Sequence, residues 1–422
     1  MEIIRFKTFS VFILLVLCFS SHNVSAEEAL TWGDCIKEAK KNHPDLISAE
    51  ENINQKEADK VITRSDLYPQ IDASADYSRI KTTTEKDSYS YGVSGSQLIF
   101  NGAKTSNDLK AASENIRAAQ YSYRFVSSEI RYRLRSAFIS LLKAQELLNI
   151  TEEIARIRRD NLILITLRYE AGIEHKGALL TAEANLTQAK FEIIQSKRNL
   201  EARQRELLKE MGRFKFSDIR AEGSFEAIDP EPERPDFDAL IKGNPSLEKL
   251  AAQKNSAFFG IKSKEADFYP KISASAGTSM SGADLPPDQD QWDIGIGLSL
   301  PIFEGGLRLA EIKKAKAAYN QAQADERSER DSIILALEQN WTGFLDAIDN
   351  VKVQKKFLVA AEERARIAEG QYSLGLIQFD SWTIIEDSLV KAKKTFIDAE
   401  ANALQVEAGW IEAKGETLEY ED

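Results

Sequence analysis

Histidine, cysteine and clustered carboxylates build most metal sites, nucleophiles and acid-base pairs, and this 422-residue sequence holds only three His and two Cys. Residues 1–26 carry the marks of an export signal: Arg5 and Lys7, an apolar run from Val11 to Phe19, then the small-residue cleavage site Val24-Ser25-Ala26. Its removal leaves His43, His175 and Cys35. Neither histidine stands at metal-ligand spacing from cysteine or a carboxylate cluster. No Ser-His-Asp order, phosphate loop or redox cysteine pair occurs. His43, ahead of Pro44, reads as a turn residue. Cys35 has no partner for an intrachain disulfide and reads as a small buried apolar residue. In a chain that is 29% charged, carboxylate pairs arise by chance and single out no acid-base couple. The expectation is a protein with no catalytic residue, no metal and no cofactor. Cys18 follows Leu15-Val16-Leu17 rather than a small residue, so it counts as part of the signal. An acylated N-terminus is the alternative that mass measurement decides.

With no chemistry to position, the informative pattern is a duplication. Asn42-His43-Pro44 recurs as Asn244-Pro245, and Asp66-Leu67-Tyr68-Pro69-Gln70-Ile71 as Asp267-Phe268-Tyr269-Pro270-Lys271-Ile272, with the prolines 25 residues apart in both copies. From Ile99-Phe100-Asn101-Gly102 and Ile302-Phe303-Glu304-Gly305 onward the offset is 203 residues, through Gly172 and Gly375 to Glu183 and Glu386. A repeat of that length is a duplicated structural unit, not a short solenoid repeat. The division is a signal over 1–26, a first repeat over 27–235 and a second over 236–422. Pro230, Pro232 and Pro235 among acidic residues mark a surface linker from Gly212 to Pro235. Removing Glu2, Arg5 and Lys7 with the signal takes the net charge from −12 to −13, which excludes nucleic acid as a partner.

Each repeat carries a hairpin of alternating pattern, about 70–100 and about 271–303. Ile71, Ala73, Ala75 and Tyr77 alternate with Asp72, Ser74, Asp76 and Ser78. Trp292, Ile294, Ile296, Leu298, Leu300 and Ile302 alternate with Asp293, Gly295, Gly297 and Ser299. The runs are about the 9 to 11 residues that a tilted strand needs to cross a bilayer, with aromatics (Tyr77, Tyr89, Tyr91, Trp292, Phe303) near their ends. Unpaired Asp72, Asp76 and Asp293 suit a watery lumen better than a dry core. Strands in lipid must close into a barrel. Four strands are too few, since the smallest single-chain barrels have about eight. Several copies must therefore pool their strands, and three would make twelve.

Long helices come after the hairpins, about 103–171 and about 307–374. Between Gly102 and Gly172 lie 69 residues without Gly or Pro. At ~1.5 Å per residue that is a rod of roughly 100 Å. Leu109, Ala112, Ile116, Ala119, Tyr123, Val126 and Ile130 step by three and four; Leu134, Ala137, Leu141, Ala144 and Leu148 continue after one extra step of four. That is a coiled-coil seam with one stutter. Shorter helices are expected over roughly 28–41, 45–67, 177–211, 246–268 and 378–414, packing back on the rods.

Taken together, Ala29-Leu30-Thr31-Trp32 leading to Asn42-His43-Pro44, the Tyr-Pro junctions Tyr68-Pro69-Gln70-Ile71 and Tyr269-Pro270-Lys271-Ile272, and the exit Leu300-Pro301-Ile302-Phe303-Glu304-Gly305-Gly306 resemble the TolC-like outer-membrane efflux protein family over essentially the whole mature chain. The resemblance implies a mostly α fold with a membrane β-barrel. It implies a homotrimer whose twelve strands form one outer-membrane barrel in a Gram-negative bacterium and whose helices form a long periplasmic α-barrel. It also implies an exit duct of a tripartite efflux pump or type I secretion system, in contact with outer-membrane lipid, a periplasmic adaptor protein and an inner-membrane transporter.

In that family the adaptor docks at tight helix-helix turns. The resemblance carries this role onto Arg168, Tyr169, Gly172 and Ile173 at one tip and Tyr372, Leu374, Gly375 and Leu376 at the other. The glycines would supply a left-handed C-cap and permit close approach. Some members ring their closed aperture with aspartates; the matching positions here are Ser381 and Ile384, and the nearest carboxylate is Asp380. Asp380 is either a constriction residue or a cap of the returning helix. Glu386 and Asp387 are expected on a solvated or lumen face. Two rivals remain, an exported coiled-coil structural or adhesive protein without a pore and a soluble periplasmic adaptor. Neither needs two hairpins with a lipid-facing stripe.

Overall fold

A computed structural model describes residues 28–81, 85–223, 225 and 234–420. The expected signal at 1–26 lies outside the described residues. The elements run β1 (Glu28–Thr31), α1 (Trp32–Asn42), α2 (Pro44–Ser65), β2 (Gln70–Lys81), β3 (Glu85–Phe100), α3 (Lys104–Glu170), α4 (Lys176–Glu210) and β4 (Ile219–Glu222). They continue as α5 (Phe237–Leu240), α6 (Pro245–Ala266), β5 (Lys271–Gly282), β6 (Gln289–Ser299), α7 (Leu307–Ser373) and α8 (Phe379–Ala413). The rods α3 and α7 are 67 residues each and the returning helices α4 and α8 are 35 each, so the two halves carry the same long parts.

Residues 28–31 correct the expected helix start. Thr31 and Asp34 form a capping box, in which Asp34 N–H donates to Thr31 Oγ1 and Thr31 N–H to Asp34 Oδ2, both at 3.3 Å. A capped start leaves the preceding residues free to extend, and β1 pairs in parallel with β4. β4 lies inside the stretch expected to be a plain surface linker. Gln145 holds it, accepting from Ala221 N–H at 2.9 Å and donating to Ala221 O at 3.1 Å, and Gln204 donates to Ile219 O at 2.8 Å. Both histidines cap helices: His43 Nδ1 accepts from Asp45 N–H (3.2 Å) ahead of α2, and His175 Nδ1 from Ala178 N–H (3.1 Å) ahead of α4.

The hairpins join into one antiparallel sheet of order β2-β3-β5-β6. The register runs Ala73 to Val93, Val93 to Thr278 and Thr278 to Trp292, and likewise Asp72, Ser94, Gly277 and Asp293 in the next row. The apolar members of the alternation therefore share one face, and Asp72, Asp76 and Asp293 lie on the other, while Asp87 and Asp290 sit at the hairpin ends of the apolar face. Ile71, Tyr77, Tyr91, Val93, Trp292, Ile294, Ile296 and Leu298 are all exposed on that face. The sheet is open, with β2 and β6 as its edges. β6 stops at Ser299, short of the expected 303, where Pro301 offers no N–H for pairing.

No member of the seam Leu109, Ala112, Ile116, Ala119, Tyr123, Val126, Ile130, Leu134, Ala137, Leu141, Ala144 and Leu148 is exposed. α4 packs along α3 and α8 along α7, with α8 also lying against α3. Ion pairs stitch that junction between the halves: Lys143 to Asp398 (2.7 Å), Lys393 to Glu153 (2.9 Å) and Lys394 to Glu192 (2.7 Å). Below the sheet the first half centres on Ile130, Leu134, Phe138, Leu207 and Ile219, and the second on Leu337, Trp341, Phe344 and Trp410. Among the described residues no helix is long and apolar enough to cross a membrane.

Candidate functional site

The ends of the two rods furthest from the sheet turn back through matching loops. α3 closes in a Schellman motif, with Gly172 N–H donating to Tyr169 O (3.0 Å) and Ile173 N–H to Arg168 O (2.9 Å). α7 does the same through Gly375 to Tyr372 O (2.9 Å) and Leu376 to Gln371 O (2.8 Å). Both glycines sit in the left-handed region, at φ 72° and 74°. A Cβ at either would meet nothing within 4 Å, so conformation alone requires glycine within one chain. Each glycine thereby presents bare backbone to open space.

The predicted tip residues fall into two groups. Tyr169, Ile173, Leu374 and Leu376 are exposed, with Leu374 and Leu376 at 77% and 70%. Four apolar or aromatic side chains around two bare glycine backbones form an uncovered surface. Tyr372 is different: only 1% exposed, it is a brace. Its ring lies on Trp382, its other neighbour is the Arg168 guanidinium at 4.7 Å, and its hydroxyl donates to Glu174 Oε2 at 2.8 Å. Arg168 Nη1 also donates to Tyr372 O at 3.5 Å. With Ile165, Ala178, Ala182, Ala368 and Phe379 these side chains make a small core that fastens one tip to the other. Burial, the hydrogen bond to Glu174 and the charge on Glu174 all raise the Tyr372 hydroxyl pKa, so it stays a neutral donor.

Trp382, Phe379 and Glu174 were not singled out by sequence. The signal lay in comparing the repeats, since Phe379 and Trp382 stand where the first copy has Lys176 and Leu179. Trp382 Nε1 is buried without an acceptor among the described residues, so packing holds the indole.

Asp380 is exposed in the first turn of α8, one residue inside the helix, and the N-cap is Gln378. It does not cap through its side chain; its carboxylate faces solvent near the positive end of the helix. Glu386 corrects the expectation of a solvated face. It is mostly buried between α8 and α3, where Arg158 Nη1 (3.1 Å) and Asn161 Nδ2 (2.6 Å) donate to its Oε2, while Arg158 also reaches Asp387. Burial raises the Glu386 pKa, and Arg158 and Asn161 oppose the shift. Asp387 remains mostly exposed.

Comparisons with known proteins agree with this architecture. A family model described as outer membrane efflux protein matches residues 35–213 and again 237–415. The outer membrane efflux protein BepC of Brucella suis is 22% identical over 341 residues, covering 79% of this chain and 74% of its own length. The outer membrane protein TolC of Escherichia coli is 21% identical over 392 residues, covering 87% and 77%. Among solved structures, CusC superposes with a TM-score of 0.80 at 19% identity, covering 90% of this chain and 91% of its own. The Campylobacter jejuni CmeC outer membrane channel gives 0.79 at 17% identity, covering 92% and 86%. With both halves matched by one family model and the rod-and-sheet fold shared over nine-tenths of the chain, the chain belongs to the outer membrane efflux protein family.

Proposed function

We propose that this protein is the outer-membrane exit duct of a tripartite efflux pump or type I secretion system. Three chains, each exported on residues 1–26 and built from repeats 27–235 and 236–422, pool four strands apiece into a twelve-stranded barrel. Their rods continue it into the periplasm as an α-helical tube. The observation that carries this reading is the open sheet. One of its faces bears exposed Ile71, Val93, Trp292, Ile294, Ile296 and Leu298, the other Asp72 and Asp293, and both edges are unpaired among the described residues. An apolar outside, a polar inside and two free edges are what a lipid-embedded cylinder shared among chains requires. An even number of strands lets β6 of one copy meet β2 of the next in antiparallel order.

The uncovered tip surface, Tyr169, Gly172, Ile173, Leu374, Gly375 and Leu376, is the docking face for a periplasmic adaptor that links the duct to an inner-membrane transporter. Arg168 and Tyr372 set the spacing of the two tips from within. Asp380, repeated by threefold symmetry, lines the aperture. Fractionation tests the reading: the mature protein should remain with the outer membrane until detergent is added. Release with soluble periplasm would remove the duct.

A further inference from the structure

The chain leaves α4 and α8 through equivalent exits. Gly212 N–H donates to Lys209 O and Arg213 N–H to Leu208 O (2.9 and 2.8 Å), as Gly415 does to Glu412 O and Glu416 to Ile411 O (2.7 and 3.3 Å). Each glycine presses on the Pro-led helix start of its own repeat. A Cβ on Gly212 would collide with Asn42 O, and one on Gly415 would stand 2.6 Å from Pro245 Cδ.

Past these exits the two halves diverge. Beyond Gly415 the tail crosses onto the first half: Leu418 is buried beside Leu30, Cys35 and Ile130, its N–H donates to Ser127 Oγ (3.1 Å), and the Arg131 guanidinium stands 5.1 Å from the Tyr420 ring. Beyond Gly212 the cover is thinner: Arg213 is held by Glu28 and Glu38 and the Arg205 guanidinium stands 5.0 Å from the Phe216 ring, but among the described residues no apolar floor lies under Phe214. Phe214 is 96% exposed and Phe216 is exposed beside it. They flank a cleft of about 600 Å³ whose charged lining is Arg205, Glu206, Lys209, Arg213 and Lys215. The first apolar cluster takes Leu418 from the other half, whereas every described member of the second comes from its own half.

The repeat offset locates the missing floor. Ser127 and Arg131 on α3 correspond, 203 residues on, to Arg330 and Ile334 on α7. Next to them Leu335 is 54% exposed, with Asp331 exposed one turn before it; Arg327 and Arg330 are exposed on the same helix, Arg330 paired with Asp238. Within one chain the second half packs on the first, so the half that packs on α7 in the same manner is the first half of another copy. We propose that residues 214–216 form an intersubunit arm, in which Phe214 and Phe216 cover the α7 face around Leu335 of a second copy while Lys215 faces its Asp331. Apolar rings leaving water supply the drive. Lys215 opposite Asp331 supplies a match in charge. The inference rests on the pooled-barrel reading.

Two differently tagged chains, both carrying Cys35→Ala, one with Phe214→Cys and the other with Leu335→Cys, are coexpressed, extracted in detergent and treated with a short bismaleimide. The arm predicts a covalent adduct bearing both tags, absent when either variant is made alone. A trimer by mass that yields no mixed adduct overturns the arm and leaves the shared barrel standing; monomeric particles overturn both. As a second readout, Phe214→Glu with Phe216→Glu alters only exposed side chains of the single chain and should lower the temperature at which the trimer dissociates on a gel. An unchanged dissociation temperature contradicts the arm.

Discussion

Tyr372 lies flat on Trp382, with ring centroids 4.5 Å apart and planes 10° from parallel. Arg168 covers the other face of the tyrosine, so a side chain of α3 and one of α8 hold the end of α7 between them. Tyr372→Ala removes the middle layer and should cost about 3–5 kcal/mol locally. Tyr372→Phe removes only the hydrogen bond to the Glu174 carboxylate, about 1.5–3 kcal/mol. Trp382→Phe should be milder than Trp382→Ala, because the indole N–H has no acceptor to lose. Hydrogen exchange at the tip amides reads all four, and equal protection across the series would contradict the brace.

Gly172→Leu and Gly375→Leu place a bulky side chain in open space on left-handed backbone. The strain is about 1–2 kcal/mol per site, too little to unfold a tip held by its own core. Transport should be lost while the trimer stays assembled, as measured by substrate accumulation beside gel mobility. Normal transport in both variants at normal abundance would take these residues out of the docking surface.

Asp380→Ala removes a solvent-facing carboxylate that threefold symmetry would repeat around the aperture. Closed-state current through single channels in planar bilayers should rise, and block by divalent cations should weaken. If neither changes, Asp380 is no constriction residue.

Glu412 lines a cleft with Glu129, and desolvation, followed by the Glu129 charge, raises its pKa from 4.5 to about 7. Between those values the folded chain keeps a proton that the unfolded chain has released, so stability falls as pH rises through the window. Glu412→Gln should flatten that slope and melt higher than the parent at pH 8. Thermal unfolding in detergent from pH 4 to pH 8 checks it, and parallel profiles would contradict the coupling.

The long-range architecture was legible because it is written in periods. Ile294, Ile296 and Leu298 alternate with small residues, and the seam from Leu109 to Leu148 steps by three and four, so local order sets both sheet face and rod. β1 and β4 were not legible. Each is four residues long and its partner lies far along the chain, although the Thr31 and Asp34 capping pair already marked where α1 begins. At the tips, Tyr169 and Tyr372 are equivalent by sequence, yet one is exposed and the other buried. The difference is made by Trp382, against Leu179 in the first copy, and spacing alone does not carry it. Glu386 misled for a similar reason: its counterpart Glu183 is exposed, while Arg158, the partner that draws Glu386 inward, lies 228 residues away.

Whether strands of separate chains are sealed into one cylinder is tested most directly by imaging detergent-purified particles with side-view resolution of the strands. Three copies are expected around one twelve-stranded wall, β6 of each copy hydrogen-bonded to β2 of the next, above a continuous helical tube. A particle of one chain, or an assembly whose sheets remain open to solvent with no hole along the axis, would contradict the shared barrel.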